Sequence, residues 1–154
     1  MDKSAEAVAH LFVRAINRQD VAGLAALMTR EHRFVDSLGN VVVGQDEARN
    51  GWLGYFSMIP DYAITVQESY GTGPVVIMFG TAKGTYVPSA PPPSYYPAVQ
   101  TKPAAKLDTQ LNPENAWKTP AAFRVLVEND RVAEWRVYAD NEPIRELIKK
   151  SNSK

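Results

Sequence analysis

Apolar positions in the first third of the chain recur at helical spacing. Ala5, Val8, Phe12 and Ile16 fall on one face of a helix predicted over about 4–18. His10, Arg14 and Asn17 turn away from that face, and Ser4 can cap it. Asp20 closes a polar turn and caps a second helix, from Val21 to Met28, with Leu24, Leu27 and Met28 on its apolar side. A strand is predicted from about His32 to Ser37. Leu38-Gly39-Asn40 then turns the chain into a short strand, Val41 to Val43. The third helix runs from about Asp46 to Met58 and directs Ala48, Trp52, Tyr55 or Phe56, and Ile59 inward, until Pro60-Asp61 stops it.

The second half reads as strands. Tyr62 to Tyr70 alternates in part, Gly71 to Pro74 is a turn, and Val75 to Val87 is a long run broken by glycines. Ala121 to Val127 and Arg131 to Ala139 flank a hairpin turn at Glu128-Asn129-Asp130. A last helix spans about Glu142 to Lys150, with Pro143 in its first turn. Helices first and antiparallel strands later point to one α+β domain over 1–154. Residues 88–118 break the pattern. They are rich in proline and alanine, carry Tyr95, Tyr96 and Trp117, and read as an insertion rather than a central strand. The aromatics suit a segment that folds back over the body as a lid.

Charge and composition narrow the function. The 154 residues carry 17 basic and 17 acidic side chains, which leaves no basic surplus for a nucleic-acid partner. No apolar run is long enough to span a membrane, and the first residues lack the apolar core of a signal peptide, so a cytoplasmic location is expected. Without cysteine there is neither a disulfide nor a thiolate site. Two histidines far apart in sequence give no metal cluster, and no glycine motif cradles phosphate. No cofactor is expected.

The chemistry that remains centres on Asp36. A carboxylate in a short apolar strand is costly unless it is used or paired. Asp36 is therefore either an acid/base group or the cap of the turn that follows it. His32 and Phe34 share its strand parity. Facing inward, His32 would sit near a pocket rim; as the first residue of its strand, exposure to solvent is the commoner outcome. Trp52 and Tyr55 on the third helix, with Trp135 on the last strand, would complete an aromatic wall around Asp36. Ala133, Trp135, Val137 and Ala139 share the more apolar face of that strand. Glu134, Arg136, Tyr138 and Asp140 share the other, and Asp140 or Asn141 can also cap the final helix.

The order of these elements, with DVAGLAALMTREHRFVDSLG, GTAKGTYV and TPAAFRVLVENDRVAEWRVYAD, resembles the SnoaL-like branch of the nuclear-transport-factor-2-like superfamily, relatives of ketosteroid isomerases and polyketide cyclases. The resemblance implies a cone-shaped, curved antiparallel sheet wrapped around the N-terminal helices and enclosing a mostly apolar pocket. It also implies a homodimer formed through the sheet. Asp36 matches the general base of ketosteroid isomerases, whereas Phe12 and Ala121 stand where those enzymes place oxyanion donors. Asp140 is similar to the aspartate that ends the last strand in the cyclases. The expectation is cofactor-independent isomerase, cyclase or dehydratase chemistry on a small apolar carbonyl compound, with Asp36 and Asp140 catalytic. His32, Phe34, Phe12, Trp52, Tyr55, Trp135 and Tyr138 are the expected ligand contacts. A hydrophobic-ligand-binding module without chemistry is the alternative.

Overall fold

In the computed structural model, which describes residues 3–88 and 111–152, four helices and one six-stranded sheet form an α+β fold. Helix α1 (Ala5–Asn17) starts where Ser4 Oγ accepts the Ala7 N–H, and α2 (Val21–Ala26) where Asp20 accepts that of Gly23. Strand β1 (Met28–Val35), strand β2 (Val41–Val43) and helix α3 (Gln45–Met58) follow. Then come β3 (Ala63–Thr72), β4 (Val75–Thr85), a short 3₁₀ turn at Pro113–Asn115, β5 (Ala116–Glu128), β6 (Arg131–Ala139) and α4 (Glu142–Asn152). The sheet order is β2-β1-β6-β5-β4-β3, and the sheet is curved and not closed. No helix among the described residues is long and apolar enough to cross a membrane.

Several boundaries differ from the sequence reading. Helix α2 ends early, because Leu27 already offers its carbonyl to the Val132 N–H and Met28 pairs with Val132. Strand β1 consequently begins at Met28 and stops at Val35, so Asp36 lies just past its end. Its pairing with β6 is parallel in an otherwise antiparallel sheet. No hairpin leads into β1; it enters from a helix, so no turn dictates its direction. Strand β5 begins at Ala116, inside the segment read as an insertion, which puts Trp117 and Lys118 into a central strand. The lid itself, with Tyr95 and Tyr96, lies outside the described residues.

Register explains where the core is solid and where it is hollow. On the inner face, Met78, Phe123 and Val137 form one cross-strand row, and Val76, Val125 and Trp135 the next. These large side chains pack with Phe12 and Ile16 of α1 into a continuous core. Further along, Gly80, Ala121 and Ala139 form a row, followed by Ala82 beside Thr119. These short side chains leave space. Gly80 is required for a second reason: a Cβ there would lie 1.8 Å from the Thr65 carbonyl oxygen, where β3 bulges between Val66 and Glu68. Asn17 fixes the start of that edge strand, donating Nδ2–H to the Ile64 carbonyl (2.9 Å) and accepting the Ile64 N–H (2.8 Å).

The outer face carries an ionic cluster. Glu134, 1 % exposed, accepts hydrogen bonds from Arg33 Nε (3.1 Å), Arg136 Nε (2.9 Å) and Arg124 Nη1 (3.3 Å). Burial disfavours the Glu134 carboxylate, yet the guanidinium groups of Arg33 and Arg136 outweigh it and hold the carboxyl below its ordinary value. Exposed Phe79 and Tyr138 flank Ala122 on the same face.

Candidate functional site

The hollow end of the cone is a cavity enclosing about 750 Å³ of empty space, its open mouth included. Phe34 from β1, Val42 from β2, and Ala48, Gly51, Trp52 and Tyr55 from α3 form one wall. Tyr62, Trp117 and the small side chains Ala82, Ala121 and Ala139 form the other, with Val137 and Thr119. The aromatic rings support one another edge to face: Phe34 lies 5.7 Å and Tyr55 6.2 Å from Trp52, and Tyr55 lies 4.9 Å from Tyr62. A wall this apolar suits a small apolar molecule.

Polar groups concentrate at one place, where β1 and β6 end. Asp36, Ser37 and Asn141 all line the cavity there. Asp36 Oδ1 accepts the backbone N–H groups of Leu38 and Asn40, each at 2.9 Å, and Oδ2 accepts the Asn40 side-chain amide at 3.0 Å. Gly39 closes the turn at φ +86°, in the left-handed region that suits glycine, donating its N–H to the Asp36 carbonyl. Asp36 thus caps its turn and also reaches the cavity. A carboxylate has about four acceptor sites, so Oδ2 keeps one for a ligand. Asn141 Nδ2 donates to Ser37 Oγ at 2.6 Å, tying the start of α4 to the end of β1.

The expected site residues divide into those on the cavity and those elsewhere. Asp36, Phe34, Trp52 and Tyr55 line it. Phe12, His32 and Trp135 do not: they are fully buried beneath it, with Phe12 5.0 Å from Trp135 and 6.0 Å from His32. Parity does point His32 and Trp135 inward, but α1, which carries Phe12, packs over that half of the sheet and fills it.

His32 is neither exposed nor at a rim. Its Nδ1 lies 2.7 Å from the Val132 carbonyl, and its Nε2 is buried without a partner among the described residues. Burial pushes the imidazole below the ordinary histidine value, against the opposing pull of the Val132 carbonyl and the Glu134 charge. The neutral ring with Nδ1–H donating is the form that fits. Tyr138 points to the outer face and is 55 % exposed. Asp140 is exposed and accepts the Glu142 N–H at the start of α4, which makes it a helix cap away from the cavity.

Sequence reasoning missed Ser37, Thr119 and Trp117 as wall residues and treated Asn141 only as a cap. The signal for Ser37 and Asn141 is weak, because each follows the end of a strand and only the parallel pairing of β1 with β6 brings them together. No group of His, Asp or Glu able to hold a metal occurs among the described residues.

Solved structures share the architecture. A proposed SnoaL-like polyketide cyclase from Shewanella denitrificans OS-217 superposes with a TM-score of 0.71 at 13% identity, over 95% of this chain and 97% of that one. An NTF2-like protein of unknown function from Burkholderia pseudomallei K96243 gives 0.68 at 16% identity, over 95% and 98%. The proposed hydroxylase AclR of Streptomyces galilaeus gives 0.66 at 15% identity, over 95% and 81%. At these identities the likeness is one of fold. No curated protein matches the chain. The SnoaL-like domain model matches residues 9–135, most of the chain, and the protein therefore belongs to the SnoaL-like domain family.

Proposed function

We propose that the protein admits a small apolar carbonyl compound to its cavity and that Asp36 moves a proton on it, in cofactor-independent isomerase, cyclase or dehydratase chemistry. One observation carries this reading: among the described residues, Asp36 is the only Asp, Glu, Lys, Arg or His lining a mostly apolar and aromatic wall. A carboxylate there can take a proton from the carbon next to a carbonyl and return it elsewhere. The fold supports the reading by its likeness to a proposed polyketide cyclase.

A second reading, ligand binding without chemistry, is favoured by a different observation. All three donors to Asp36 come from its own turn, the pattern of a structural cap. The two readings separate in one assay. Aryl and cyclic ketones incubated with the protein in D₂O exchange the hydrogens next to the carbonyl if Asp36 acts as a base. Ketones that bind, by chemical-shift changes of the Trp52 and Trp117 indoles, yet do not exchange identify a binding module.

The same reading includes a homodimer through the outer sheet face. Its support is the exposed pair Phe79 and Tyr138, which flank Ala122 on the outer face.

A further inference from the structure

The proposed proton transfer leaves negative charge on the carbonyl oxygen, and the donors that ketosteroid isomerases use for it are replaced by Phe12 and Ala121. Phe12 is buried away from the cavity, and Ala121 has no polar atom in its side chain. Another donor has to be found in the wall, or the oxygen goes unsupported.

Ser37 supplies the geometry. It follows Asp36 in the chain, and both line the same end of the cavity. Ser37 Oγ accepts from Asn141 Nδ2 at 2.6 Å, so one lone pair is occupied. Its own O–H has no acceptor among the described residues. A serine hydroxyl has one proton and two lone pairs, so an incoming N–H leaves the O–H the two remaining tetrahedral directions. Asn141 is itself anchored: it precedes α4, and its carbonyl accepts the Arg145 N–H in the first turn of that helix. A carboxylate acceptor and a hydroxyl donor thus stand on consecutive residues of one turn, the turn being held rigid by its bonds to Asp36.

We propose that Ser37 Oγ–H donates a hydrogen bond to the carbonyl oxygen of the bound compound, and that Asn141 is the positioning residue that aims it. This rests on the acid–base reading of the cavity. In the step, the C–H bond beside the carbonyl breaks and its proton goes to Asp36. The electron pair becomes the carbon–carbon double bond of an enolate, and the carbonyl π pair moves onto oxygen. Ser37 keeps its proton and stabilises that oxygen by the hydrogen bond, which strengthens as the charge develops.

The test uses two probes of the same shape, acetophenone and α-methylstyrene, which differ only in C=O against C=CH₂. Binding is measured by NMR titration for the wild type and for Ser37→Ala, Ser37→Thr and Asn141→Leu. The preference is the ratio of acetophenone affinity to α-methylstyrene affinity, and the wild type sets its reference value. Ser37→Ala loses roughly three- to ten-fold of that preference while keeping its affinity for α-methylstyrene, as expected for one lost hydrogen bond. Ser37→Thr restores the preference, and Asn141→Leu weakens it. A preference that survives Ser37→Ala, or equal losses for both probes, overturns the proposal and leaves the cavity reading standing. If neither probe binds the wild type, the cavity reading itself fails.

Discussion

Asn40 holds Asp36 from two sides, its backbone N–H on Oδ1 at 2.9 Å and its side-chain amide on Oδ2 at 3.0 Å. The same carboxylate that faces the cavity therefore also shapes the turn that delivers it there. This double role sets different expectations for two substitutions. Asp36→Ala removes the carboxylate that accepts three hydrogen bonds in the turn and lowers stability by about 1–2 kcal/mol. Asp36→Asn keeps an oxygen for the Leu38 and Asn40 N–H groups and costs less than half of that. Urea melts of the two variants check the ordering; equal losses contradict it.

His32 makes stability depend on pH near neutrality. Burial lowers its folded value below that of the unfolded chain, about 6.5. Above that pH both states are neutral and His32 contributes no slope. As pH falls below about 6.5, the unfolded chain takes up a proton that the native ring resists, so stability declines toward the folded value. Denaturation midpoints drop as pH falls below about 6.5 in the wild type. The His32→Leu variant has a flatter profile over the same window, whatever its absolute stability. An identical slope in both proteins assigns the effect to another group.

Glu134 and its three arginines form one unit. Removing the carboxylate in Glu134→Ala leaves Arg33, Arg124 and Arg136 repelling one another. The guanidinium groups are a third to a half exposed, with side-chain exposures of 52%, 37% and 37%, so solvent screens much of the effect. The expected loss is about 1–3 kcal/mol. Because the Glu134 carboxyl is held below its ordinary value, its contribution is fully present above about pH 4.5 and is lost as pH falls through the folded value. A melt showing no loss at pH 7 would mean the arginines are individually solvated.

For the proposed dimer, light scattering at micromolar concentration gives twice the chain mass. Phe79→Glu puts a charge beside Ala122 and Tyr138 on the outer face and shifts the protein to monomer, with little change in its folded spectrum. A wild type that is already monomeric at that concentration removes the outer face from consideration as a self-association surface.

Much of the fold was legible because local rules agreed with the tertiary result. Ser4 and Asp20 cap as their residue types suggest, and Asn129 and Asp130 both adopt positive φ (51° and 63°) in the hairpin that their sequence announces. The site was less legible, for reasons of packing and long-range pairing. Parity assigns His32, Phe34 and Asp36 to one face but does not say how deep each lies; only α1, packed over one half of the sheet, puts His32 in the core and leaves Phe34 on the cavity wall. Trp117 was hidden by the prolines around it. Tyr138 and Asp140 follow from simple alternation outward and from capping, and both end up away from the cavity. The parallel contact of β1 with β6 joins residues about a hundred positions apart, and no local pattern announces the Ser37–Asn141 pair it creates.

The proposed chemistry requires Asp36 to move a proton on a ketone held in the cavity. Deuterium incorporation beside the carbonyl of a bound aryl ketone, followed by NMR in D₂O for the wild type and Asp36→Asn, tests it most directly. The wild type exchanges above the buffer rate. Asp36→Asn, folded and still binding the ketone, loses about 10²-fold or more of that exchange, the scale of a lost general base. Exchange that is equally fast in Asp36→Asn, or a wild type that binds the ketone and exchanges nothing, contradicts the claim.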